Sequence, residues 1–164
     1  MDMLKTVALL GVILFAGVKY AGSNIENGSS VESELKFDEK KWVGAWVDMW
    51  NAYDLSQVKK LFLQDEELTY FSSEKEGVVK GIDAVLDHHK GFGFVEGGKV
   101  QDNKLWVENL YTAEFGSTAV VTGIWYFQRP SGRLQRGPVT FVYVRKEDEY
   151  RLAHLHFANY KDPE

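Results

Sequence analysis

Residues 138–159 read PVTFVYVRKEDEYRLAHLHFAN, and this stretch decides the fold. Apolar and polar residues alternate through 139–146 and again through 150–159, the period of half-buried β-strands. The acidic run Glu147-Asp148-Glu149 between them supplies a tight turn. The second strand carries two of the four histidines, His154 and His156. Side chains two apart in a strand share a face, so these two imidazoles are neighbours.

Upstream, the same period runs through 105–114 and 118–128. Phe115-Gly116-Ser117 and Arg129-Pro130-Ser131-Gly132 supply the turns. Four long strands joined by short turns predict an antiparallel meander. Gly123, inside a strand, marks a bend or bulge. Before the meander the period is helical. In residues 38–53 (DEKKWVGAWVDMWNAY), Trp42, Trp46, Met49, Trp50 and Tyr53 fall at three- and four-residue steps, with Asp38 as N-cap. A second helix starts at Asp54, where Gln57 completes a capping box and Val58, Leu61 and Phe62 give an apolar face. Strands are predicted at 68–72 and 78–80, and a third helix at 81–89. Residues 92–98 (FGFVEGG) form a glycine-rich loop whose two phenylalanines make it a candidate lid. Helices followed by a meander give an α+β class. The tryptophan face must bury against one face of the sheet, and a sheet that wraps such a helix is strongly curved and leaves a cavity at its open end.

Composition narrows the function. A net charge of −5 lacks the basic footprint that nucleic acid requires. The absence of cysteine removes disulfides, thiolate nucleophiles and cysteine-held metals. Five tryptophans, eight tyrosines and ten phenylalanines suggest a ring-lined core or pocket. The N-terminal run 6–18 (TVALLGVILFAGV) lies between Lys5 and Lys19. It is shorter than the ~20 apolar residues of a spanning helix but suits a signal-peptide core. Residues 1–23 are therefore expected to be a signal peptide or membrane anchor, with small residues at Ala21-Gly22-Ser23. Residues 24–34 are a Gly/Ser/Asn linker, and 35–164 are the folded domain. The expected location is exported: periplasmic, extracellular or membrane-anchored, touching membrane only through that segment.

From about Phe37 to Asn159 the chain resembles the nuclear-transport-factor-2-like superfamily, and within it the SnoaL-like group that includes the association domain of calcium/calmodulin-dependent kinase II. The resemblance rests on the tryptophan helix, the capped helix at Asp54 and the helix opening Gly81-Ile82. It rests further on Gly123-Ile124-Trp125-Tyr126-Phe127 and, above all, on 141–146 (FVYVRK), an acidic turn, Tyr150 and His154-Leu155-His156. It implies a cone-shaped α+β roll with an internal pocket and a homodimer through the outer face of the sheet. Members include isomerases, cyclases, dehydratases and proteins without catalysis, so fold does not decide activity. Phe141 stands where the kinase domain has an inward arginine, and Phe157-Ala158 stand where serines often follow. Both point to an apolar occupant.

The expected function is binding of a small, mostly apolar or aromatic ligand in the cone. Trp46, Trp50, Tyr53, Phe92, Phe94, Trp106, Trp125, Phe141 and Tyr143 are its expected lining. The alternative is an acid/base enzyme, an isomerase, dehydratase or hydrolase, in which His154 or His156 moves the proton and a tyrosine steadies an oxyanion. A third reading is a non-catalytic oligomerisation module. Paired histidines can also ligate a metal, but Asp48, Glu108, Glu114 and His89 stand at no recognisable ligand spacing, so no metal or cofactor is expected. The plainest reading of His154 and His156 is structural, as hydrogen-bonded residues near a pocket or interface.

Overall fold

The tryptophan stripe forms helix α1, Glu39–Ala52, in the computed structural model, which describes residues 36–161. The readings of 1–23 and 24–34 lie outside the described residues. The Asp38 carboxylate accepts the Lys41 N–H at 3.1 Å and caps the helix. Tyr53 ends it in the left-handed region at φ +51°, returning its N–H to the Met49 and Trp50 carbonyls. Trp42, Val43, Trp46, Met49 and Trp50 are all buried.

The remaining elements are α2 (Leu55–Leu61), β1 (Thr69–Phe71), β2 (Val79–Lys80), α3 (Ile82–Gly91), β3 (Lys104–Phe115), β4 (Thr118–Gln128), β5 (Gln135–Lys146) and β6 (Glu149–Phe157). The six strands form one curved, unclosed sheet in the order β2-β1-β6-β5-β4-β3. β3 through β6 are the predicted antiparallel meander. The sheet is mixed rather than wholly antiparallel, because β1 pairs parallel with β6, Thr69 opposite His154 and Phe71 opposite His156. Adjacency in sequence does not reveal such a pair, which joins residues more than eighty positions apart.

Curvature has identifiable sources. The β3–β4 register shifts between Glu108 and Tyr111, and Asn109 takes φ +55°. Gly123 faces this interruption; a Cβ there would lie 2.7 Å from Leu110 Cδ2 and 3.0 Å from the Glu108 carbonyl. A second shift, between Val142 and Tyr143, bends β5 against β6. The concave face carries Val121, Trp125, Phe141, Tyr143, Leu152 and Leu155, all buried. Trp46 meets Phe141 edge-on at 5.0 Å and Phe157 at 5.4 Å. At one end, Asn51 clamps α1 to β3, donating to the Leu105 carbonyl at 2.9 Å and accepting its N–H at 2.8 Å.

The chain beyond β6 folds back across Gly137. A Cβ on Gly137 would meet the Ala158 carbonyl oxygen at 1.8 Å and the Asn159 Cα at 3.1 Å, both backbone atoms that cannot give way cheaply. That same carbonyl accepts the Trp125 indole N–H at 3.0 Å, and Tyr160 N–H bonds the Arg136 carbonyl at 2.9 Å. Gly137→Ala is therefore expected to lower stability by about 3 kcal/mol or more, the cost of overpacking against rigid backbone. Urea unfolding measures this, and a loss under about 0.5 kcal/mol, the scale of a neutral surface change, contradicts the contact.

Candidate functional site

The open end of the cone holds a cleft between α1, the end of α3, β1 and strands β3 to β6. Its walls are apolar: Trp50, Phe92, Leu105, Trp125, Phe127 and Phe157. Tyr70 lines it as well, and Ser72, Ser73, Glu74, Arg129 and Gln135 complete its lining. Each element places its share by alternation. Trp125, Phe127 and Arg129 follow at steps of two along and just beyond β4. Parallel pairing with β6 carries β1, and hence Tyr70 to Glu74, to the mouth. The cleft's cavity volume is about 40 Å³, and the empty space is about 410 Å³ once space open to solvent is counted. A closed cavity that holds benzene needs roughly 150 Å³. A ring can therefore sit at the mouth, or deeper if a wall side chain moves. Phe92 is the half-buried wall residue, at the C-cap of α3, and the following Gly93 takes φ +86°.

The cleft gathers some of the residues expected from sequence and not others. Trp50, Phe92 and Trp125 line it. Trp46, Phe141 and Tyr143 are in the core behind it, and Tyr53 and Phe94 pack on each other at 4.9 Å, buried. The 92–98 loop is not a free lid. Backbone bonds tie Val95 to Tyr53 and Leu55, and Lys99 to Ala52, while the Asp54 carboxylate accepts the Gly97 N–H at 3.2 Å. Of its two phenylalanines, Phe94 is buried against Tyr53, and Phe92 forms a wall of the cleft. The Asp54 side chain also accepts from Ser56 Oγ at 2.7 Å, which more than any other contact holds its pKa below the ordinary value. Trp106 points to the outer face of the sheet, stacked on Tyr126 at 5.0 Å with its indole N–H on Glu108.

His154 and His156 also lie on that outer face. Along β6, Tyr150, Leu152, Leu155 and Phe157 are buried, whereas His154 is half-buried and His156 exposed. Their rings are 6.5 Å apart, and Phe71 from β1 lies 5.3 Å from His156. His154 Nδ1 shares a 2.8 Å hydrogen bond with Thr69 Oγ1. Burial, then the charge of His156, lowers the His154 pKa. Neither histidine lines the cleft. Among the described residues, no three of His, Asp or Glu gather to hold a metal ion.

The polar groups in and behind the cleft are different ones. Tyr70 is buried, and desolvation pushes its phenol pKa well above the usual value. The Trp50 indole N–H is buried and has no hydrogen-bond partner among the described residues. Behind them His89, fully buried, packs 5.4 Å from Trp50 and 5.7 Å from Tyr70. Its Nδ1 lies 2.7 Å from the Val85 carbonyl, which can only accept, so Nδ1 carries the proton and Nε2 is a buried acceptor with no partner. Sequence reasoning did not find Tyr70, Ser72, Ser73, Glu74, Leu105, Phe127, Arg129 or Gln135; Phe157, read from sequence as favouring an apolar occupant, does line the cleft. Period two along β4 was the available signal for Phe127 and Arg129.

No family model matches the chain, and no curated protein matches it significantly. Solved structures do. A nuclear-transport-factor-2-like superfamily protein from Salmonella enterica superposes with TM-score 0.61 at 18% identity, over 75% of this chain and 89% of that one. A Streptomyces avermitilis protein of the same family, assigned as a dehydratase, gives 0.63 at 16% identity, over 74% and 93%. A Thiobacillus denitrificans protein, assigned as a calcium/calmodulin-dependent protein kinase type II association domain, gives 0.60 at 13% identity, over 74% and 94%. At these identities the likeness defines the fold alone.

His89 generates a pH dependence. Burial, the largest influence, lowers its pKa to about 4 from the model-peptide 6.5. Below 6.5 the unfolded chain binds a proton that the folded chain refuses until about pH 4, so stability is full above 6.5 and falls as pH drops through that window. His88, lowered first by burial and then by Lys75, acts in the same direction. One such group contributes a slope approaching about 1.4 kcal/mol per pH unit. His89→Gln is expected to flatten the stability profile between pH 6.5 and 4 by nearly that slope, and an unchanged profile contradicts a neutral buried His89.

Proposed function

The chain has the nuclear-transport-factor-2-like fold, and we propose that it is a non-covalent receptor for a small ring-bearing molecule, held at the mouth of the cone. The observation that carries this reading is the cleft itself, six apolar side chains leading to a polar rim. The interior beyond it is filled by Trp46, Phe141 and Phe157, so the guest is small and sits near the opening. The acid/base alternative loses its named residues, because His154 and His156 occupy the other face of the sheet. The titratable groups that do line the cleft offer little in their place. Tyr70 is held protonated by burial, and Glu74 is exposed at the rim.

The outer face supports the second part of the proposal, a homodimer through the sheet. Tyr111 and Phe115 on β3 are 74% and 66% exposed, and Phe71 at the far side is 38% exposed beside the histidine pair. Exposed rings on this face are what a dimer through the sheet would bury. We place the domain outside the cytoplasm on the strength of the apolar run at 6–18.

Calorimetric titration with neutral 2-naphthylmethanol tests the receptor. Phe92→Ala, which widens the mouth, is expected to tighten binding, and Ser73→Trp, which fills it, to weaken binding about tenfold or more at unchanged melting temperature. Equal affinity across wild type and both variants rules out the cleft as the binding place. Sedimentation equilibrium is expected to give a dimer that Tyr111→Lys converts to monomer; a monomeric wild type refutes the sheet-face dimer.

A further inference from the structure

We propose that the guest is an aryl carboxylic acid, its ring against the Trp125–Phe127 wall and its carboxylate paired with Arg129; this rests on the receptor reading above. Arg129 follows Phe127 by two positions, so its side chain continues the inward face of β4 out to the rim. Its guanidinium carbon lies 4.9 Å from the Phe127 ring centroid. A guanidinium on an aromatic face is attracted by the ring quadrupole and held flat, which fixes its donor fork. It is half-buried, so its charge is only partly screened by water.

One neutral side chain holds it from the other side. Arg129 Nη1 donates to Gln135 Oε1 at 2.5 Å, and Gln135 Nε2 donates to Glu74 Oε1 at 2.8 Å. A carboxylate accepts and a guanidinium donates, so this amide has a single workable orientation, oxygen toward Arg129 and nitrogen toward Glu74. Gln135 thus orients the guanidinium without neutralising it. No carboxylate pairs with Arg129 among the described residues, and its remaining N–H groups stay available to an acceptor.

The rim carries an anion as well, which decides the class. Glu74 is exposed and already binds the Gln135 amide. Its field is therefore more screened than that of half-buried Arg129, and a monoanion is favoured over an ammonium. A doubly charged phosphate is disfavoured by the same Glu74, which lies one amide away from Arg129. A planar carboxylate matches the guanidinium fork in shape and charge, and its aryl group continues into a cleft walled by rings. Ser72 and Ser73, both half-buried, belong to the same lining.

Three probes of one shape separate the possibilities: 2-naphthoate, 2-naphthamide and 2-naphthylmethylammonium, titrated calorimetrically into the full chain at neutral pH. The acid is expected to bind about tenfold or more tighter than the amide, the scale of a hydrogen bond to a charged partner, with the ammonium weakest. Arg129→Gln is expected to bring the acid down to about the affinity of the amide, which loses far less, and Arg129→Lys to restore part of the difference. Equal binding of acid and amide, a preference for the ammonium, or an equal loss of both ligands in Arg129→Gln overturns the carboxylate assignment and leaves the receptor reading standing. Failure of all three to bind wild type overturns both.

Discussion

One constraint organises the fold: three indoles on one helix face must leave water together. Trp42, Trp46 and Trp50 are all buried, and replacing a ring of this size in a core typically costs about 3–5 kcal/mol. A flat sheet cannot cover a stripe that broad. β3 to β6 therefore bend around it, at the bulge beside Asn109, at the close approach of Leu110 to Gly123 and at the shift between Val142 and Tyr143. Rings from β5 and β6 fill the closed end. What is left is the open end, where Trp50 meets Phe92, Trp125 and Phe127 without filling the space between them. The cleft is the residue of packing large rings into a cone.

The same packing sets the electrostatics. Tyr70 and His89 sit among rings with little to hydrogen-bond, so each is held neutral: the phenol by a raised pKa and the imidazole by a lowered one. Charge returns only at the rim, with Arg129 and Glu74 linked through Gln135. This gradient, neutral inside and charged at the edge, is the chemical signature of the site. It differs from the arrangement expected of an enzyme using His154 and His156, which the strand pleat turns to the outer face.

Much of the fold was legible because its signals are local. The α1 stripe, the Asp38 and Asp54 caps and the two-residue period of β3 to β6 depend on neighbours within a few positions. The parallel β1–β6 pair depends on contacts far apart in the chain, and with it went Tyr70, Ser72, Ser73 and Glu74. Among the expected lining residues, Trp106 lay on the outer face for a legible reason: Leu105 points inward, so its neighbour cannot. Phe94 looked like part of a lid because two phenylalanines stand in a glycine-rich loop, yet those glycines allow the tight turns that press Phe94 onto Tyr53. The resemblance first carried by HxH and the preceding strand agrees with the solved structures as to fold, while the cleft had to be built from contacts that no local pattern encodes.

The receptor reading is tested most directly by the indole N–H signals in a two-dimensional nitrogen–proton NMR spectrum. Five tryptophans give five reporters. Trp50 and Trp125 line the cleft, Trp42 and Trp46 belong to the core, and Trp106 is stacked on Tyr126 at the outer face. On titration with 2-naphthoate the expected result is movement of the Trp50 and Trp125 signals, with Trp106 fixed. Movement of Trp106 with Trp50 and Trp125 unmoved, or no movement at saturating ligand, contradicts a ligand site at the mouth of the cone.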